Sequence, residues 1–197
     1  GAGQSLAGLL SWMQRQGLSG LEFLEGIPGT VGGAVRMNAG AWERSIGERV
    51  LWVRGLKEDG FPVRFGRDEL RFEYRGCPTL ETIMLLEVGL KLEAADPGDI
   101  GRRRDEISAK RAWMKGLHSA GSIFKNPPGE SAGRLIEQAG LKGTRIGGAQ
   151  FSEPHANVIV TEKNARASDV RALMDRARDE VWARSGIRLD PEIVCWE

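Results

Sequence analysis

Ser119-Ala120-Gly121-Ser122-Ile123-Phe124-Lys125-Asn126-Pro127 sets a hydroxyl, a cation and a carboxamide close together, behind a glycine and ahead of a proline. A serine next to a glycine can come close to a bound molecule, and its hydroxyl can give or accept a proton. Lys125 and Asn126 are residue types that hold phosphate or sugar oxygens. Alone, the stretch reads equally well as an ordinary turn. Its neighbours in the chain decide between the two.

Downstream, helix and strand patterns alternate. Residues 131–139 read as a helix stopped by Gly140, and short strands follow near 147–151 and 157–161. A second helix spans 168–184. Ser168 is its expected cap, Val170, Leu173, Met174, Ala177 and Val181 form one stripe, and Gly186 ends it. A last strand is expected over about 188–196. Upstream, residues 99–115 read as a basic helix with Arg102, Arg103, Arg104, Lys110 and Arg111. Asp105 and Glu106 are interspersed, which favours a solvated face over a phosphate-binding one. Asp96-Pro97-Gly98 reads as a break and the best domain boundary. Residues 82–92 read as a long, largely buried strand, and 50–54 with 61–65 as a hairpin around Glu58-Asp59-Gly60. Residues 21–42 read as a structured loop system. Residues 5–16 read as an amphipathic helix capped by Ser5, with Leu6, Leu9, Leu10 and Met13 on one face and Gly17 as its end.

The chain has 197 residues, enough for one large domain or two small ones. Its 28 basic and 27 acidic residues leave a net charge of +1, so no global signal for nucleic acid or an anionic membrane exists. No apolar run is long enough to span a bilayer. Cys77 and Cys195 are far apart and match no metal spacing, so they read as free thiols; His118 and His155 are too few for a multi-histidine metal site. No internal repeat is present.

Three further segments carry chemistry. Gly26-Ile27-Pro28-Gly29-Thr30-Val31-Gly32-Gly33-Ala34, followed by Asn38-Ala39-Gly40-Ala41-Trp42, lets the main chain lie flat on a ligand. It matches neither a Walker loop nor the GxGxxG fingerprint, and a tight glycine-rich connection is the plain alternative. Phe72-Glu73-Tyr74-Arg75-Gly76-Cys77 holds the only tyrosine and a guanidinium suited to a carboxylate or enolate; alone, Arg75 reads as a surface residue. Leu189-Asp190-Pro191-Glu192-Ile193-Val194 places a carboxyl after a proline, which alone reads as an exposed strand end.

In this order the segments resemble the MurB family of UDP-N-acetylenolpyruvoylglucosamine reductases. The resemblance runs through GlyLeuGluPheLeuGluGlyIleProGlyThrValGlyGlyAla (20–34), SerAlaGlySerIlePheLysAsnPro (119–127), AlaGlyArgLeuIleGluGlnAlaGlyLeuLysGly (132–143), GlyGlyAlaGln (147–150), HisAlaAsnValIleVal (155–160) and LeuAspProGlu (189–192). The 47 positions from Arg75 to Ser122 look like the short, type II form. The resemblance implies an α+β fold. Residues 1–101 would be the remaining part of a vanillyl-alcohol-oxidase/MurB-type FAD domain, and 102–197 the C-terminal substrate domain.

It further implies an NADPH-dependent flavoenzyme of peptidoglycan synthesis, with FAD as cofactor and UDP-N-acetylglucosamine enolpyruvate as substrate. A monomer in the bacterial cytoplasm is expected, with no metal, nucleic acid or membrane partner. By the family motifs Ser122 would donate the proton, Arg75 would stabilise the enolate, and Glu192 would act on the substrate carboxyl. Gly26, Ile27, Pro28, Gly29, Thr30, Gly32, Gly33, Asn38, Ala39, Gly40 and Arg75 would line the flavin. Asn126, Lys125, Trp42, Lys142 and Gln150 would bind the nucleotide sugar. Trp42 departs from the family's usual tyrosine, which keeps stacking and loses a hydroxyl; Glu73 and Gly76 are also unusual. The family's glycine-rich diphosphate loop has no counterpart in residues 1–197, so this polypeptide alone is expected to bind FAD weakly or not at all. The rival reading is a truncated, non-catalytic UDP-sugar-binding fragment; a flavin oxidase of related fold fits less well, since no covalent-flavin histidine is evident.

Overall fold

Ser5 starts the first helix as its sequence suggests: its hydroxyl accepts from Gly8 N at 3.1 Å. In the computed structural model, which describes residues 1–195, that helix is α1 (Leu6–Arg15), with Leu6, Leu10 and Met13 buried and Gly17 turning at φ +64°. The chain divides into two units, Gly1–Ala112 and Trp113–Glu197.

In the first unit, β1 (Leu18–Ser19) leads through a 3-10 turn at Glu22–Leu24 to α2 (Val31–Arg36). The loop system expected over 21–42 thus contains a short helix. Thr30 Oγ1 accepts from Gly33 N at 3.2 Å, and that cap outweighs two helical glycines. Gly32 packs on Ala2, where an added Cβ would stand 3.0 Å away. After β2 (Gly40–Ala41) and β3 (Arg44–Ser45) come β4 (Val50–Leu56), β5 (Pro62–Gly66) and β6 (Met84–Leu90), an antiparallel sheet in the order β5-β4-β6. Val53 faces Phe65 on one side and Val88 on the other.

The strand expected to be largely buried is β6, and it is not: Met84 is 66% and Leu86 46% exposed. An antiparallel sheet can pack one face and leave the other open, and an unbroken apolar run conceals which face that is. The core of this unit gathers Leu6, Met13, Leu21, Leu24, Ile46, Val53 and Leu80.

β7 (Glu93–Ala94) pairs with β1, and α3 (Pro97–Arg111) follows. Asp96-Pro97-Gly98 begins this helix rather than ending a domain. The Asp96 carboxylate accepts from Gly98 N at 2.8 Å and Asp99 N at 3.1 Å, and proline fits the first helical turn. Ile100 is buried, and Arg104 donates to Glu25 at 2.6 Å and Gln14 at 2.5 Å. These contacts hold α3 to the first unit, so the division falls after Ala112 rather than near residue 101.

In the second unit, α4 (Ala132–Gln138) is capped by Ser131, whose hydroxyl accepts from Arg134 N at 3.4 Å. β8 (Arg145–Ile146), β9 (Ala149–Phe151) and β10 (Ile159–Thr161) form an antiparallel sheet in the order β10-β9-β8, against which α5 (Ala167–Ser185) lays Leu173, Met174, Ala177 and Val181. Two expectations fail here. Ser168 is not the cap; Arg166 holds that position, and the Asp169 carboxylate accepts from Arg166 N at 3.0 Å and from Gly148 N at 3.1 Å. The last strand, expected over 188–196, is reduced among the described residues to one bridge between Pro191 and Phe124; position 196 lies outside them. Proline at 191 has no N–H to extend a ladder.

Among the described residues no helix is long and apolar enough to cross a membrane, and no cluster of histidine, cysteine or acidic residues could hold a metal.

The amides of Arg166 first, then of Gly148, hold the Asp169 carboxyl below its usual range. A depressed folded-state value stabilises above the unfolded pKa, about 3.9, and that contribution is lost as pH falls through the folded value. Urea midpoints should therefore rank wild type above Asp169→Asn at pH 7 and converge toward about pH 2. A gap constant with pH would mean that the charge is not what caps α5.

Candidate active site

Residues 122–125 form the spine of the candidate site in the second unit. Ser122 pairs with Val158, and Phe124 with Pro191, both antiparallel. On one side Ile123 N donates to Asn157 O at 2.9 Å. On the other, Glu192 N donates to Ile123 O at 2.7 Å, and Lys125 N to Asp190 O at 2.8 Å. Ser122 and Glu192, remote in sequence, thus sit on adjoining strips of one three-stranded ribbon. Ile123 and Phe124 are buried and anchor it, while Ser122 and Glu192 are half-buried. The strip that carries the Ser122 hydroxyl therefore lies beside the strip that carries the Glu192 carboxyl.

Other residues expected at the site have local engagements. Asn126 Oδ1 accepts from Ala132 N at 3.0 Å and so helps start α4. Lys142 pairs with Glu137 at 2.9 Å. Gln150 donates to Gly143 O at 3.0 Å and accepts from Arg145 at 2.9 Å.

In the first unit, four non-glycine residues have left-handed backbone: Asn38 (φ +42°), Trp42 (+51°), Glu43 (+61°) and Arg75 (+58°). Such residues cost free energy and gather at functional sites. Three of the four are residues singled out from the sequence. Arg75 lies at the tip of a tight turn closed by Glu73 N donating to Gly76 O at 3.0 Å and Gly76 N to Glu73 O at 3.3 Å. Its guanidinium rests over the Tyr74 ring at 4.8 Å.

Asn38 is buried beneath that turn. Its Nδ2 donates to Glu73 O at 2.8 Å, and its Oδ1 accepts from Gly47 N at 3.0 Å. The carboxamide expected to line a flavin is therefore already engaged in holding the Arg75 turn to the 3-10 segment at Ile46–Glu48.

The glycine-rich stretch behaves unevenly. Gly29 has φ +114° and nothing near the position of a Cβ, so its backbone lies open. Pro28 and Thr30 beside it are exposed, while Ile27 and Ala39 pack on the core. The N–H groups of Val31, Gly32 and Gly33 already donate to Gln4 O, Ala2 O and Thr30 Oγ1. Gly40 admits no side chain, since a Cβ would meet Arg44 O at 2.2 Å.

Lys110 and Arg111, read from sequence as part of a solvated face, instead bring charge to Trp42, at 5.9 and 5.1 Å from its ring. Arg111 is half-buried, and its Nε has no hydrogen-bond partner among the described residues. Burial, then the charge of Arg75, lowers its pKa, while Glu25 opposes. Asn157, in the His155-Ala156-Asn157 run, was given no role from sequence. The signal is a carboxamide directly before the apolar run Val158-Ile159-Val160, at the start of the strand expected near 157–161.

Residues 113–196 match the profile of the UDP-N-acetylenolpyruvoylglucosamine reductase C-terminal domain. The UDP-N-acetylenolpyruvoylglucosamine reductase of Geobacter sulfurreducens is 43% identical over 195 residues, 98% of this chain and 65% of that protein. That of Caldicellulosiruptor bescii is 48% identical over 182 residues, 90% of this chain and 58% of that protein. The crystal structure of UDP-N-acetylenolpyruvylglucosamine reductase (MurB) from Thermus caldophilus matches with a TM-score of 0.90 at 41% identity, covering all of this chain and 71% of that one. The fold class is thus α+β, of the reductase type. The chain belongs to the UDP-N-acetylenolpyruvoylglucosamine reductase (MurB) family. It spans 58% and 65% of the length of the two curated relatives just described.

The backbone of Arg75 yields a stability test. Arg75→Gly releases a left-handed conformation worth about 1 kcal/mol, which offsets the lost stacking on Tyr74. Arg75→Val loses the stacking and keeps the strain, costing roughly 1–2 kcal/mol. Urea unfolding should rank glycine above valine; the reverse order would refute the strained turn.

Proposed function

We propose that this chain carries the catalytic residues of an NADPH-dependent flavoenzyme that reduces UDP-N-acetylglucosamine enolpyruvate to UDP-N-acetylmuramate in peptidoglycan precursor synthesis. The observation that carries this is the ribbon bond from Glu192 N to Ile123 O, which aligns the Ser122 hydroxyl strip with the Glu192 carboxyl strip. Family membership supports it, and so does the strained, ring-backed guanidinium of Arg75.

The residues present suit part of a flavin. The open backbone at Gly29, beside exposed Pro28 and Thr30, can lie against a planar ring. The first N–H groups of α2 are already bonded and are not donors for a diphosphate. When bound, FAD supplies the hydride that it takes from NADPH.

The chain's own residues do the rest. Arg75 stabilises the negative charge that develops on the enolpyruvyl carbon and its carboxylate. Ser122 delivers a proton from Oγ to that carbon, giving the lactyl ether. Glu192 hydrogen-bonds the substrate carboxyl and draws charge toward it. Lys125 and Asn126 on the exposed side of the ribbon hold the nucleotide sugar, and Trp42, with Lys110 and Arg111 over its ring, offers stacking and positive charge to an anionic substrate. In this reading the enzyme is a bacterial cytoplasmic monomer.

The test is Ser122→Ala in the complete gene product containing this chain. Flavin reduction by NADPH should keep its wild-type rate in stopped-flow absorbance, while reoxidation by the enolpyruvyl sugar falls by about 100-fold or more. Equal loss in both half-reactions would remove Ser122 from the proton-donor role.

A further inference from the structure

We propose that Asn157 is a positioning residue that sets Ser122 and Glu192 in register, by standing in for a missing stretch of β-strand. This rests on the roles given above to those two side chains.

Phe124 is fully buried, and its backbone N–H and C=O both point away from the Pro191 strip, whose ladder bonds use Ile123 O and Lys125 N instead. On the other side, the register set by Ser122 and Val158 would place Ala156 opposite Phe124. The chain turns there instead of running on as a strand: Val158 N donates to His155 O at 3.0 Å, and Val158 O accepts from Ser152 N at 2.8 Å. The ladder that starts at Ser122 and Val158 therefore cannot continue through backbone alone.

The Asn157 side chain completes it. Nδ2 donates to Phe124 O at 2.8 Å, and Oδ1 accepts from Phe124 N at 3.0 Å. One carboxamide supplies the donor and the acceptor of a peptide group, while its own backbone O takes Ile123 N at 2.9 Å. Asn157 is itself 3% exposed, and its backbone N donates to His155 Nδ1 at 3.2 Å. Of the uncharged side chains, only a carboxamide has both functions in this geometry. A buried peptide group left unpaired forces the chain to move until it finds a partner. Ile123 O is the acceptor for Glu192 N, so any shift of residues 123–124 moves Glu192 as well as Ser122.

The decisive substitution is Asn157→Asp, which keeps size and the acceptor and removes the donor to Phe124 O. Amide hydrogen exchange on the 197-residue chain should show Glu192 exchanging about tenfold faster in the variant, with Leu173 and Ala177 in α5 unchanged. In the complete gene product, turnover of the enolpyruvyl sugar should fall by about 10- to 100-fold at near-constant KM, with flavin reduction by NADPH unaffected. Unchanged Glu192 exchange, or equal acceleration throughout α5, overturns the positioning role. Should the variant not fold, wild-type Phe124 and Glu192 amides exchanging as fast as exposed loop amides would overturn it instead. If the wild-type gene product does not reduce the enolpyruvyl sugar, the functional reading fails by itself, and the exchange measurement still decides the role of Asn157 in the ribbon.

Discussion

Buried peptide groups must find partners, and in the second unit that requirement falls on a segment with no complete strand on either side. Residues 122–125 run between the turn at 155–158 and the segment that Pro191 interrupts. Their hydrogen bonds come from Asn157 on one flank and from residues 190–192 on the other. Ile123 and Phe124 sink into the core with Ile136, Leu141, Phe151 and Leu189, so apolar burial fixes the height of the segment and polar pairing fixes its lateral position. Ser122 and Glu192 inherit their placement from both effects. Neither rides on a helix or a long strand, which makes their geometry a property of the loops' hydrogen bonding.

The first unit solves a similar problem with strain. Asn38, Trp42 and Arg75 adopt backbone conformations that glycine would take more easily, and each has compensation nearby. Asn38 gains two hydrogen bonds through its side chain, Trp42 has cations over its ring, and Arg75 has the Tyr74 ring beneath it. The Asn38 carboxamide links two of these places, since the carbonyl that it grips belongs to the turn carrying Arg75. Salt bridges play a lesser part. Most are exposed pairs such as Arg54–Glu87 and Arg145–Glu162, which contribute little. The half-buried Arg104–Glu25 contact is different, because it also engages Gln14 and thereby fastens three elements.

Local signals were legible in the sequence where one residue decides one event. Ser5 caps its helix, Gly186 stops α5 in a left-handed conformation, and Glu58-Asp59-Gly60 closes its hairpin as read. Readings failed where a residue has two uses. Asp96-Pro97-Gly98 breaks one element and starts another, and proximity to α1 decided which. Asp169 outcompeted Ser168 because its carboxylate also reaches Gly148, a contact invisible along the chain. The apolar run of β6 could not reveal that only one face is covered. For the candidate site, Ser122, Arg75 and Glu192 were singled out through family resemblance, and the strained backbone of Arg75 was not foreseeable. Asn157 and Arg111 escaped notice because their importance lies in what they touch, and a carboxamide or guanidinium in a polar stretch carries no periodicity.

The bare Cα at position 26 has a mechanical meaning. Arg111 Cδ lies 3.0 Å from where a Cβ would be, so the end of α3 leans directly on the glycine-rich loop. A methyl group there would make the Arg111 side chain, whose guanidinium lies over the indole of Trp42, give way by a few tenths of an ångström, and the φ of +77° would add backbone strain. Filling position 26 thus strains the backbone of the loop and disturbs the one side chain that both leans on it and holds charge against the indole.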